Sequence, residues 1–350
     1  MRGVNISMGI DISKYGITIG KLKRGKKNSI TDVPGVKVGH VTLKYEGVNT
    51  GVTAILPHNG NLFRDKVVAA THVINGFGKS IGLTQIEELG NIETPIIMTN
   101  TLSVGTCATA LIKYMLKDNE DIGVTTGTVN PIVCECNDGV LNDIRGLHVK
   151  EEHVYQAIKN ASDICEEGDI GAGTGMRCFG LKGGIGSASR IIVLDGKEYV
   201  VGVLVLSNFG ALERLTIDGI NIGDKILGIE NCEDRGSIIT VLSTNIPLNE
   251  RQLKRICKRV PAGLARTGSY YGNGSGDIVF AFTTANKVNH YSDSDIRDIK
   301  VLNDNKIDII FQAVVEGTEE AVISSMLHSD SCIGFSGKEI KTLKDYIDIL

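Results

Sequence analysis

Within residues 234–248, DRGSIITVLSTNIPL, a Gly236-Ser237 pair opens directly onto a run of β-formers. Residues 237–243 are rich in Ile, Thr and Val and read as a buried strand. The charged Glu233, Asp234 and Arg235, with flexible Gly236, form a polar loop that feeds this strand. A hydroxyl in that place can cut its own chain: if Ser237 attacks the Gly236 carbonyl, an N-to-O acyl shift followed by hydrolysis separates the two residues. Glycine at the scissile position accepts strained dihedrals and leaves room for attack. The α-amine so released, with a pKa of about 7.7–8.0, serves as a base beside its own hydroxyl at neutral pH. Taken alone, the dipeptide reads first as a loop-to-strand junction with a capping serine, because Gly-Ser is common in turns.

Other residue types offer chemistry or set limits on it. Ser275 and Asp277 place a hydroxyl and a carboxylate two residues apart, on one face at the start of a strand. In isolation the Asp reads as a cap for a turn. Asn208, in SNFG at a strand end, reads as a turn former. Glu135 interrupts the apolar run 131–136, where an unpaired carboxylate is costly, so it faces solvent or has a cationic partner. Gly78-Lys79-Ser80-Ile81-Gly82 satisfies G-x-S-x-G, but the strand before it reads as ending at Ile74 and no His partner can be nominated. Val73 stands where the first glycine of a P-loop belongs. The glycines of 171–186 do not fit the dinucleotide fingerprint. The seven histidines form neither H-x-x-x-H nor H-E-x-x-H, which argues against a zinc peptidase. The eight cysteines lack C-x-x-C spacing, and Cys134 and Cys136 share a strand face with no neighbouring His. Reduced, buried thiols are expected, and no metal or cofactor.

The elements that must position these residues follow from pattern. A chain of 350 residues with 42% hydrophobic content can bury a large core, and a net charge of −4 makes no case for nucleic acid or an anionic membrane surface. The N-terminus lacks a secretory core, and the longest apolar run, 199–206, is far short of the about 20 residues that cross a bilayer. A soluble cytoplasmic protein is expected. Residues 1–29 read as a variable arm, with Lys21, Lys23, Arg24, Lys26 and Lys27 as a solvated loop, and 30–350 as a single domain. Strands are expected at 52–56, 67–74, 131–136, 190–194, 199–206, 237–243 and 277–283, with Asp195-Gly196 as a hairpin turn. Helices are expected at 104–116 with Ser103 as N-cap, at 151–165, at 249–264 with Pro261 kinking or ending it, and at 307–326. Pattern alone carries no further than an α/β or α+β fold of stacked sheets covered by helices.

Six stretches, in order over about 260 residues, resemble the L-aminopeptidase/D-esterase (DmpA-like) family of self-processing peptidases, which includes the β-peptidyl aminopeptidases. They are ITDVPGVKVGHVT, TNTLSVGTCATAL, NDGVLNDI, GAGTGMRCFGLKGGIGSASR, GSIITVLSTNIPL and GLARTGSYYGNGSGDIVFAFTTAN. The resemblance implies a four-layer α/β/β/α sandwich like that of the N-terminal nucleophile hydrolases, cleaved into residues 1–236 and 237–350. It implies Ser237 as nucleophile, with Ser275 and Asp277 hydrogen-bonded to it and to its amine; the family also uses Glu at the position of Asp277. It places an oxyanion-stabilising amide at Asn208 and the substrate's ammonium at Glu135, with Asn137 beside it. Some relatives carry a tyrosine there that assists the oxyanion, where this chain has Asn137 and Val140. The implied activity is that of a self-processing serine aminopeptidase or amidase, releasing N-terminal residues from small peptides, amides or esters as a homo-oligomer of processed protomers. An acyltransferase of the ornithine-acetyltransferase type shares the fold and the self-cleavage but uses Thr as nucleophile, so Ser237 argues against it. An unprocessed binding protein with a structural Ser237 is the alternative from another class.

Overall fold

The computed structural model describes residues 12–226, 236–292 and 294–349, so Glu233, Asp234 and Arg235 lie outside the described residues, as does Cys232. In chain order its principal strands are β1 (Lys37–Tyr45), β2 (Val48–Leu56), β3 (Asp65–Gly76), β4 (Asn91–Ile92), β5 (Ile96–Asn100), β6 (Ile132–Cys136), β7 (Gly184–Leu194), β8 (Lys197–Asn208), β9 (Ser237–Thr244) and β10 (Gly276–Asn289). The helices are α1 (Leu83–Leu89), α2 (Val104–Lys117), α3 (Glu151–Lys159), α4 (Glu250–Cys257), α5 (Val260–Arg266) and α6 (Asp308–Leu327). One sheet has the order β1-β2-β5-β6 and the other β4-β3-β10-β9-β8-β7.

The run of β-formers at 237–244 is a central strand with apolar layers on both faces, and all eight of its residues are buried. Alternation sends Ile239 and Val241 into the core between the sheets, where they meet Ile55, Met98, Leu206 and Phe280. Ile238 and Leu242 point the other way, into a core shared with Leu253 and Ile256 of α4 and Ala321 and Val322 of α6. On the outside of the four-stranded sheet, Val52, Ala54 and Ile97 pack with Cys107 and Leu111 of α2 and Val154 and Ala157 of α3. These three cores define four layers, α/β/β/α. The strands β9 and β10 run parallel, and α4 and α5 form the crossover that such a pair requires. That crossover sets Ser237 and Gly276 side by side.

Helix α3 ends at Lys159, six residues before the expected 165. Close approach to β1 stops it: Val38 and Ser162 exchange two backbone hydrogen bonds of 3.0 Å, and any side chain at Gly39 would strike the Ala157 carbonyl. The expected helix 249–264 is two helices, α4 and α5, and Pro261 falls in the first turn of α5, where its missing N–H costs no bond. Ser103 precedes α2 without a side-chain capping bond; Asn100 Oδ1 instead accepts from the Ser103 N–H at 3.0 Å. Asp195 and Gly196 have φ of 49° and 74°, the left-handed pair of a tight hairpin.

The described part of the N-terminal arm is strapped down. Ile12, Ile17 and Ile19 are buried, and Glu316 of α6 accepts from the Lys21 and Leu22 N–H groups at 2.9 and 3.0 Å. Arg190 is wholly buried between Glu316 and Glu320 at 3.1 and 2.7 Å, and Arg24 reaches Glu320 at 2.9 Å. Lys21, Lys23, Lys26 and Lys27 are exposed. Among the described residues no helix is long and apolar enough to cross a membrane.

Candidate active site

At one end of the six-stranded sheet, β8 finishes where β9 and β10 start. Asn208 is the antiparallel partner of Ser237, and Ser237 the parallel partner of Gly276. Ser237 is buried, and its Oγ accepts from the Gly276 N–H at 3.2 Å. The same N–H donates to the Gly236 carbonyl at 3.3 Å. One donor therefore touches both the hydroxyl and the carbonyl oxygen of the bond that precedes it. Gly236 has no room for a side chain, since a Cβ would lie 1.8 Å from the Asn208 carbonyl oxygen. Gly276 is equally confined, with the Phe77 carbonyl 2.8 Å from any Cβ.

Ser275 and Asp277 flank Gly276, and the buried Ser275 Oγ donates to Asp277 Oδ1 at 2.6 Å. Asn75, at the end of β3, holds the turn before them by donating to the carbonyls of Gly272, at 3.0 Å, and Ser275. Tyr271 sits in the same turn with φ of 58° and donates its hydroxyl to the Pro261 carbonyl. Burial, and then the Asp277 charge, push its phenol up to about 12.

The Asn208 side chain is held from two sides. Its Oδ1 accepts from the Arg177 backbone N–H, and its Nδ2 donates to the Asn137 carbonyl, each at 2.9 Å. A primary amide carries two N–H donors, so one is left over. Asn137 Oδ1 accepts from the Gly139 N–H at 2.9 Å. Beyond Asn208 opens a cavity of about 730 Å³, with Asn137, Val140, Ile144, Arg177, Phe209 and Gly236 in its wall.

Glu135 comes from the other sheet, near the end of β6, and is only 2% exposed. Its Oε1 accepts from the Lys79 N–H at 2.7 Å, and its Oε2 from the Thr101 hydroxyl. Among the described residues no cation pairs with it. Gly78 separates it from the nucleophile strand: a Cβ there would lie 3.5 Å from Glu135 Oε1 and 3.6 Å from Gly276 Cα. The G-x-S-x-G loop is thus a wall of the site. Ser80 is no exposed elbow nucleophile, because its Oγ accepts from the Glu135 N–H at 3.3 Å. Cys134 and Cys136 point into the core between the sheets, where burial pushes both thiols up.

The structure brings together all of the sequence-derived residues Ser237, Gly236, Ser275, Asp277, Asn208, Asn137 and Glu135. Sequence reasoning missed Asn75, Thr101 and Arg177. Thr101 and Arg177 lie in the TNTLSVGTCATAL and GAGTGMRCFGLKGGIGSASR stretches already singled out, whereas Asn75 carries no local signal at all.

Residues 28–340 match Peptidase family S58. The chain belongs to that family. As an S58 protein it is a serine peptidase of the aminopeptidase class, on a variant of the N-terminal nucleophile hydrolase fold. Its sequence is 39% identical to the β-peptidyl aminopeptidase BapA of Sphingosinicella microcystinivorans, over 92% of this chain and 86% of that one. Among solved structures it is similar to the PH0078 protein of Pyrococcus horikoshii OT3, with TM-score 0.93, 52% identity and coverage of 97% and 98% of the two chains. The L-aminopeptidase D-Ala-esterase/amidase of Ochrobactrum anthropi gives TM-score 0.89 and 33% identity, covering 97% of this chain and 99% of that one.

Proposed function

We propose that this S58 chain cuts itself between Gly236 and Ser237 and then releases N-terminal residues from small peptides, amides or esters. The observation that carries the proposal is the shared Gly276 N–H, which lies on both the Ser237 hydroxyl and the Gly236 carbonyl. In the cleavage, Oγ bonds to the Gly236 carbonyl carbon, the C–N bond breaks and the nitrogen takes a proton. Water then hydrolyses the ester, leaving a Gly236 carboxylate and a free Ser237 α-amine.

In turnover the same hydroxyl attacks the substrate carbonyl, with the α-amine as base. Ser275 and Asp277 orient that amine and pass on its proton. The spare Asn208 N–H meets the oxyanion, a contribution of about 3 to 4 kcal/mol for a donor of this kind. Glu135, desolvated and held only by neutral donors, takes the substrate's ammonium as its missing cation. That pairing selects for a free N-terminus. The working form, on the resemblance to the family, is a cytoplasmic homo-oligomer of processed protomers.

Intact mass of fresh and aged protein tests the cleavage, with fragments of 236 and 114 residues (350 − 236) expected. A single uncut mass in active enzyme would overturn it. On the same preparation, N-acetylated aminoacyl p-nitroanilides should be cut at least about a hundredfold more slowly than the free amines, since acetylation leaves the buried Glu135 unpaired, a loss of about 3 to 5 kcal/mol. Equal rates on the two forms would remove Glu135 from this role.

A further inference from the structure

Among the described residues, the cavity beyond Asn208 is walled by apolar Val140, Ile144 and Phe209, and by one residue with a formal charge, Arg177. Arg177 is partly exposed, and among the described residues no carboxylate or other acceptor is bonded to its guanidinium. Its backbone N–H fixes Asn208 Oδ1, so the cation springs from the position next to the oxyanion donor. Arg and carboxylate pair through two parallel, charge-assisted hydrogen bonds, which makes an unpaired guanidinium in a concave wall a receptor for that group.

Among the described residues, Glu135 and Arg177 are therefore two charges of opposite sign with no ion-pair partner. Glu135 lies on the side of Ser237 walled by Gly78, and Arg177 lies on the side of Asn208. We propose that Arg177 binds a carboxylate of the substrate, in the first place the terminal carboxylate of the leaving amino acid, so that the enzyme favours zwitterionic dipeptides. This rests on the aminopeptidase reading above for which bond is cut, and it assigns the substrate class. An acidic side chain on the acyl residue would supply the same chemistry from another source.

The test compares kcat/KM for a dipeptide and for its C-terminal amide, on wild type, Arg177→Gln and Arg177→Lys. Only the side chain changes, and the main-chain bond to Asn208 stays available in each variant. Wild type should favour the free acid by about tenfold or more, equivalent to about 1.4 kcal/mol. Arg177→Gln should abolish that ratio and Arg177→Lys keep part of it. Aspartyl and leucyl p-nitroanilides form a second arm: an Arg177-dependent preference for aspartyl, without one for the free acid, moves the carboxylate to the acyl side and overturns the leaving-residue assignment. If wild type prefers neither the free acid over the amide nor aspartyl over leucyl, the proposal fails. If Arg177→Gln slows all substrates alike, it fails too, and Arg177 then holds the Gly236 carboxylate left by self-cleavage. Calorimetric binding of ketomethylene dipeptide isosteres, ending in carboxylate or carboxamide, reads the same preference without turnover. A carboxylate preference in binding but no hydrolysis of either dipeptide would sink the aminopeptidase reading and leave this one standing.

Discussion

Ser237 is confined by its glycine neighbours. The Asn208 carbonyl excludes any side chain at 236, the Phe77 carbonyl excludes one at 276, and the resulting close approach lets the Gly276 N–H reach Ser237 Oγ at 3.2 Å. The next group along is the Ser275–Asp277 pair, whose 2.6 Å bond is buried beside that same glycine. If it handles the proton of the Ser237 amine, Asp277→Asn should lower both self-cleavage and turnover by roughly a hundredfold or more, the usual scale for lost general acid–base catalysis. Circular dichroism would show the fold retained, and near-normal activity would return Asp277 to a turn-capping role. The residues of this cluster stand in short runs that offer chemistry, a glycine before β-formers, or a hydroxyl and a carboxylate two apart at a strand start, but each run alone reads as a turn, and the resemblance of six stretches together is what implied their roles. Asn75 was not legible, because its work is done on the carbonyls of Gly272 and Ser275, about 200 positions away.

At the scale of elements, the strands and helices that the pattern made visible are those with an apolar face of their own, such as β9 and α6. Helix α3 shows where pattern misleads: apolar spacing runs on past Lys159, but Asn160 caps the helix, and backbone contact between Ser162 and Val38 of β1 holds the chain after it. The same strand carries His40, opposite Thr53 of β2 and 2.9 Å from its hydroxyl. Burial lowers the His40 imidazole to about 4, against about 6.5 in an unfolded chain. Between those values the unfolded chain binds the extra proton, so this term of stability is full above pH 6.5 and is lost as the pH falls toward 4. In an uncleaved Ser237→Ala background, the stability difference between His40 and His40→Gln chains should shift against histidine by about 1 to 3 kcal/mol between pH 7 and pH 4.5. Urea unfolding at each pH measures it, and a difference that does not change with pH would show that His40 takes up its proton as readily in the folded chain as in the unfolded one.

At the scale of the molecule, the order β4-β3-β10-β9-β8-β7 decides what the proposed self-cleavage would do to the fold. Residues 237–350 supply β9 and β10, and residues 1–236 supply the strands on both sides, so a chain cut there would remain woven through one sheet. On one flank Ser237–Thr244 pairs with β8 over eight register positions, from Asn208↔Ser237 to Val201↔Thr244. On the other, β10 pairs with β3 from Gly276↔Gly76 to Asn289↔Asp65. Two of the three cores are mixed as well, with Leu206 against Ile239 between the sheets and Val203 beside Ala321 under α6. Residues 237–350 therefore own no complete core, residues 1–236 keep whole only the one under α2 and α3, and separation would bare apolar surface worth about 25 cal/mol per Å². The two fragments should run as separate bands on a denaturing gel, elute together from a sizing column in native buffer, and unfold in one transition. Expressed apart, residues 237–350 should be insoluble, since their two strands would offer open edges on both sides. A fragment that leaves the column alone and folded would mean that the interleaved sheet is not what holds the processed enzyme together.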